Sequence, residues 1–150
     1  MFGKILYISD NMAYIENKMK DDVSSDLLNL HLIFEKDDHN ILSEITEVKS
    51  DEIRVKFLGE FVNGKYFNGI LRKASLDSHI RIINDDELKE LFGVESKQNF
   101  ILGMSATYKD HLVCPNINDL LASHLCIFGN TGSGKSCGVA RIVQNLLSNQ

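Results

Sequence analysis

Apolar and polar positions alternate through much of the first hundred residues. In 27–35, Leu28, Leu30, Leu32 and Phe34 share one face, and Asn29, His31 and Glu35 take the other. That period of two predicts a half-buried strand. Residues 52–58 repeat the pattern, with Ile53, Val55 and Phe57 opposite Arg54 and Lys56. The segment 41–48 predicts a further strand, joined to 52–58 by a turn at Lys49-Ser50-Asp51. Asn63-Gly64 separates Phe61-Val62 from Tyr66-Phe67. Both central positions of a type I′ turn need positive φ, so this dipeptide predicts a tight hairpin. Shorter strands are expected at 3–8, 12–16, 79–83 and 100–104. Many short strands joined by tight turns predict a mainly β fold, a small antiparallel barrel or sandwich.

Two stretches change period. Near residue 84, Asn84 is placed as an N-cap with Glu87 completing a capping box. Leu88, Leu91 and Phe92 form the apolar stripe of that short helix, and Gly93 ends it. Ile83 and Leu88 are placed to staple its start. Residues 105–123, with the single proline Pro115, read as a connection. After residue 138, Val139, Ala140, Ile142, Val143, Leu146 and Leu147 recur at helical spacing.

Between the connection and that last helix lies the candidate chemistry. Leu125-Cys126-Ile127-Phe128 is a continuous apolar run, the pattern of a buried parallel strand. The residues after it, Gly129, Asn130, Thr131, Gly132, Ser133, Gly134, Lys135 and Ser136, satisfy G-x-x-x-x-G-K-[S/T]. Strand, glycine loop and helix in that order are what a phosphate cradle requires. The glycines free the backbone so that amide N–H groups from Asn130 to Ser136 converge on phosphate oxygens. The helix N-terminus adds partial positive charge. Lys135 is expected to reach the β- and γ-phosphates of ATP, and the Ser136 hydroxyl to ligate Mg²⁺. Cys137 follows in the same turn, where packing is its expected role. Arg141 reads as part of a solvated helix face.

Charge sharpens the division. The net charge is −5, but residues 1–119 carry −7 and residues 120–150 carry +2 from Lys135 and Arg141. An acidic first part repels nucleic-acid backbone and suits contact with protein. The three cysteines, Cys114, Cys126 and Cys137, match no paired metal or redox spacing, and His111 with Cys114 has no second pair nearby. No apolar run approaches a membrane span and no signal-peptide pattern opens the chain, so a cytoplasmic protein without membrane contact is expected.

The segment HLCIFGNTGSGKS (124–136), with TGSGKS at 131–136, resembles the phosphate-binding signature of the HerA family, hexameric DNA-translocating P-loop ATPases related to FtsK-type motors. The lead-in Asn116-Ile117-Asn118-Asp119-Leu120-Leu121 and the Gly-Lys-Tyr-Phe-Asn-Gly stretch at 64–69 are similar to that family's layout. The resemblance implies a β-barrel over 1–105, a connector over 106–123, and over 124–150 the first strand–P-loop–helix of an α/β core. It also implies a ring, most simply a hexamer, that hydrolyses ATP and translocates double-stranded DNA. A nuclease or other effector in DNA processing or phage defence would dock on the barrel. No acidic residue follows Asp119. The catalytic acid, arginine finger and DNA-gripping loops of such a motor are therefore expected outside this chain, which by itself should not turn over ATP. Two other readings share the loop: a conjugation or secretion ATPase, and a non-enzymatic docking module.

Overall fold

Two-residue turns set the register of the sheet. The structure, a computed structural model, describes residues 2–18, 27–122 and 124–148; the end of the expected ATPase segment, 149–150, lies outside the described residues, as does Ser123 of the connector. Strand β1 (Ile5–Ser9) turns through Asp10-Asn11 into β2 (Met12–Glu16), with Ser9 opposite Met12. β3 (His31–Lys36) turns through Asp37-Asp38 into β4 (His39–Val48). β5 (Glu52–Val62) turns through Asn63-Gly64 into β6 (Lys65–Asn68). Asp10, Asp37 and Asn63 all have φ near +50°. Short polar side chains tolerate that region. Gly64, at φ +77°, supplies the second positive angle of the expected I′ hairpin. β7 (His79–Ile82) pairs with β3.

The sheet is antiparallel throughout and runs β1-β2-β5-β4-β3-β7, with β6 also on β5. β5 is its spine. One edge pairs with β4, while the other pairs with β2 over Glu52–Lys56 and with β6 over Gly59–Val62. The fold is mainly β, as the alternation predicts, but the sheet curls without closing. β1 and β7 remain its two ends, so the structure is a half-barrel and not the closed barrel expected. Closure requires hydrogen bonds between the end strands. Here the segments Phe2–Ile5 and Leu76–Ile82 instead border a cleft of about 530 Å³.

The core lies on one face of this sheet. Ile15, Leu32, Phe34, Ile45, Ile53 and Val55 are essentially fully buried within it. Each such side chain contributes about 1.5–3 kcal/mol of transfer free energy. The rings of Phe34 and Phe57 meet edge to face with centroids 5.2 Å apart, a favoured geometry. The expected alternation of 27–35 is corrected at its start. Asn29 has φ +66°, the strand begins only at His31, and Leu28 is exposed. Leu27 packs in the core instead. Ile33 is buried on the opposite face, where it pairs with the equally buried Leu42.

Helix α1 (Asp85–Phe92) starts with the predicted capping box. Glu87 N donates to Asn84 Oδ1 at 2.9 Å, and Asn84 N donates to Glu87 Oε2 at 3.0 Å. Arg81 clamps the same carboxylate, with Nη1 at 2.7 Å and Nη2 at 2.6 Å, while its Nε donates to Glu35 Oε1 at 2.7 Å. The guanidinium holds the Glu35 carboxyl below its usual range, and the two carboxylates push Arg81 up.

The chain divides into two compact units, 1–87 and 88–150. The second has little regular sheet. Of the expected strand 100–104 only β8 (Gly103–Met104) forms, paired with β9 (Leu112–Val113). Phe100 and Cys114 are buried, and Cys114 N donates to Phe92 O at 2.7 Å. The expected connector contains a short helix, α2 (Ile117–Leu121), capped by Asn116, whose Oδ1 accepts from Asn118 N at 2.9 Å. The final helix α3 (Lys135–Ser148) is tied in by Asn145 Nδ2, which donates to Ile101 O at 2.7 Å.

Candidate phosphate-binding loop

The glycine-rich loop leads directly into α3. Its residues turn tightly: Ser133 N donates to Asn130 O at 3.1 Å. Gly132 and Gly134 have φ of +84° and +82°, a region that residues with a Cβ rarely adopt. A Cβ on Gly129 would stand 2.5 Å from Ser133 Oγ, so that position admits only glycine without a shift of the serine. The loop backbone thus depends on Gly129 and Gly134, which the motif specifies, and on Gly132 between them.

Lys135 opens the helix, and its Nζ donates to Asn130 O at 2.7 Å. The ammonium therefore closes over the loop from its C-terminal side. Ser136, Cys137 and Gly138 follow, and Gly138 N donates to Gly134 O at 2.8 Å, the first helical bond. The amides of Lys135, Ser136 and Cys137 belong to the free first turn, where four N–H groups lack partners within a helix. No acidic residue occurs in that turn. Free amides, a helix N-terminus and a cation in this loop suit a polyanionic phosphate chain. For Mg²⁺ the residue expected to ligate it offers a single neutral oxygen, Ser136 Oγ. That suits an ion that keeps most of its water and takes further oxygens from phosphate. Among the described residues no group of three or more His, Cys, Asp or Glu side chains could hold a metal by itself.

Two expectations for this segment are corrected. Residues 125–128 form no strand: Leu125 and Ile127 are exposed, and Phe128 is 89% exposed. A parallel strand is stabilised by neighbours on both edges and helices on both faces. No described strand pairs with this run. Cys137, expected to pack, is exposed, as is Cys126. The helix face of Val139, Val143 and Leu147 is likewise exposed, while Ile142 and Leu146 are half-buried. Arg141 is solvent-facing, in agreement with its reading. Cys114 is buried, and desolvation raises its thiol pKa.

Sequence reasoning missed one polar residue in the β unit. Glu60 is 2% exposed, and its Oε2 accepts no hydrogen bond. Its position follows from a bulge: Ser43 pairs with Phe57 and Leu42 with Gly59, which leaves Leu58 as the extra residue of β5. The bulge shifts the alternation by one, so Glu60 and not Phe61 continues the core face of Phe57. A charged residue within the run Phe57–Val62 was the available signal.

Residues 100–150 match the family model described as Helicase HerA, central domain. The match covers about a third of the chain, spanning β8, β9, α2, the glycine loop and α3. It is a distant link to an ATPase family of the P-loop superfamily. No curated protein matches the chain. Among the described residues no helix is long and apolar enough to cross a membrane.

Proposed function

We propose that the glycine loop binds the phosphates of ATP, and that the chain belongs to the working parts of a HerA-like ATPase. The observation that carries this reading is the coincidence of two signals. The family match at 100–150 contains G-x-x-x-x-G-K-S at 129–136 within it. Gly129, Gly132 and Gly134 allow the backbone of Asn130, Thr131 and Ser133 to turn its amides toward phosphate. Lys135 exchanges its bond to Asn130 O for the phosphate oxygens. Ser136 Oγ would ligate Mg²⁺, and Cys137 N completes the first turn. Bound Mg²⁺ would neutralise phosphate charge. This chain's own residues hold and orient the nucleotide, and the segment after Asp119 supplies no carboxylate to activate water.

In the fuller reading the chain acts within a ring, a hexamer in the simplest case, that moves double-stranded DNA. A nuclease or other effector docks on the acidic β unit. The net charge of the first 119 residues supports protein contact over DNA contact there.

The test is titration of the full chain with a fluorescent ATP analogue in Mg²⁺. Saturable binding is expected, weakened about tenfold to a hundredfold by Lys135→Ala, the loss for a charge-assisted contact of about 1.5–3 kcal/mol. Equal binding by both proteins would remove the proposal. Sizing the full chain with ATP and double-stranded DNA tests the ring: a monomer indifferent to both argues against it.

A further inference from the structure

Glu60 lies at one end of the core face of the half-barrel, and it lines a pocket of about 560 Å³. Its other walls include Val62 at the end of β5, Phe67 on β6, and Ile70 and Leu71 in the segment that follows. Glu60 and Phe67 are cross-strand partners, so they share a face. Phe67 is 52% exposed and Leu71 is 90% exposed. The pocket is therefore a largely apolar opening with a buried carboxylate in its wall.

That carboxylate is not settled by the chain itself. His39 Nδ1 is 3.5 Å from Glu60 Oε2, within ion-pair range but making no hydrogen bond to it. A buried carboxylate oxygen without a donor has lost its hydration with nothing in return. Arg72 and Lys73 directly follow the pocket's last wall residue, but they line a different depression with His39, Lys36 and Ser75. Apolar walls and an orphaned acceptor call for a ligand with an apolar stem and a cationic donor head. The arginine side chain has both. Its planar guanidinium sheds water more readily than an ammonium and stacks on aromatic faces. The charge of the unit agrees, with 17 acidic against 11 basic residues in 1–87.

We propose that this pocket receives an arginine side chain of a partner protein, its guanidinium donating to the Glu60 carboxylate and its methylenes lying against Val62, Phe67 and Ile70. The site is independent of the glycine loop and does not rest on nucleotide binding. The bulge at Leu58 gives it a structural origin, because without that extra residue Phe61 would face the core there.

The probe is a blocked tripeptide, acetyl-Ala-Arg-Ala-amide, against its citrulline counterpart, which keeps the shape and removes the charge. Binding is read from the NMR shifts of the Phe67 ring and the Ile70 methyl groups in the full chain. The arginine peptide is expected to bind about tenfold more tightly than the citrulline peptide, as a charge-assisted contact requires. Glu60→Gln should erase that difference. Phe67→Ala, at an exposed position that does not threaten folding, should weaken the arginine peptide several-fold. Lys135→Ala should leave it unchanged, so failure here and failure of the nucleotide proposal are separable. Equal binding of the two peptides, retention of the preference in Glu60→Gln, or shifts confined to residues away from Phe67 and Ile70 would each overturn the proposal.

Discussion

Phe34 and Phe128 are the same residue in opposite circumstances. Phe34, on β3, is 1% exposed with Phe57 against its ring; Phe128, before the glycine loop, is 89% exposed. In the half-barrel three hairpins, β1–β2, β3–β4 and β5–β6, form through turns of two residues, and the pairings β4–β5, β2–β5 and β3–β7 join them into one sheet. The run 125–128 has the composition of a strand, yet a parallel strand takes its partners from distant parts of a chain. Apolar character alone therefore does not make a strand; available backbone partners do.

The sharpest way to break this comparison is to truncate both rings. Phe34→Ala should destabilise the β unit by about 3–5 kcal/mol, through lost burial and the cavity left behind. Denaturant unfolding followed by circular dichroism measures it. A loss under 1 kcal/mol would mean that the core is loosely packed.

Next in size is a chemical probe of the exposed loop. Cys137 is accessible one residue beyond Ser136. Alkylation with N-ethylmaleimide is hypothesised to crowd the first helical turn and weaken the ATP analogue about tenfold, or roughly 1.4 kcal/mol. A Cys126→Ser background keeps the label at one exposed site. Labelled protein that binds as well as unlabelled protein would dispose of this idea.

A smaller effect is expected at the Arg81 clamp, where exposure to solvent limits the gain. Arg81→Gln should cost about 1 kcal/mol near neutral pH. Its pH dependence has a definite sign. Arg81 depresses the folded-state pKa of Glu35. That contribution is complete above the unfolded carboxyl value of 4.5 and is lost as pH falls through the lower folded value. The stability gap between the two proteins should thus narrow as melts are taken from pH 5 downward, about the carboxylate range. A gap that widened in acid would reverse the assignment.

The smallest change closes the comparison. Phe128→Ala should alter stability by no more than about 0.5 kcal/mol, the range for surface sites. A loss comparable to that of Phe34→Ala would show that Phe128 is packed.

Much of the local structure was legible in advance, for local reasons. The Asn63-Gly64 hairpin, the capping box of Asn84 with Glu87, and the strands at 41–48 and 52–58 rest on φ preferences, a three-residue spacing and a period of two. The need for glycine in the loop was legible as well: Gly132 and Gly134 have positive φ, and a Cβ on Gly129 would crowd the Ser133 hydroxyl. The helix α2 was readable from Asn116, but Pro115 and the surrounding polar residues masked it. Leu28 was misassigned because an alternating pattern does not reveal the positive φ of Asn29 that ends it.

By itself, the sequence determined the strand periods, the turns, the capping box of α1 and the positions of the loop glycines, each set by interactions within a few residues. Only the tertiary structure decided three other matters. The curled sheet stops short of closure at β1 and β7. The bulge at Leu58 turns Glu60 toward the core. No described strand pairs with the apolar run before the loop. Each depends on which backbone groups meet across long separations, and a linear pattern of apolar and polar residues does not encode those pairings.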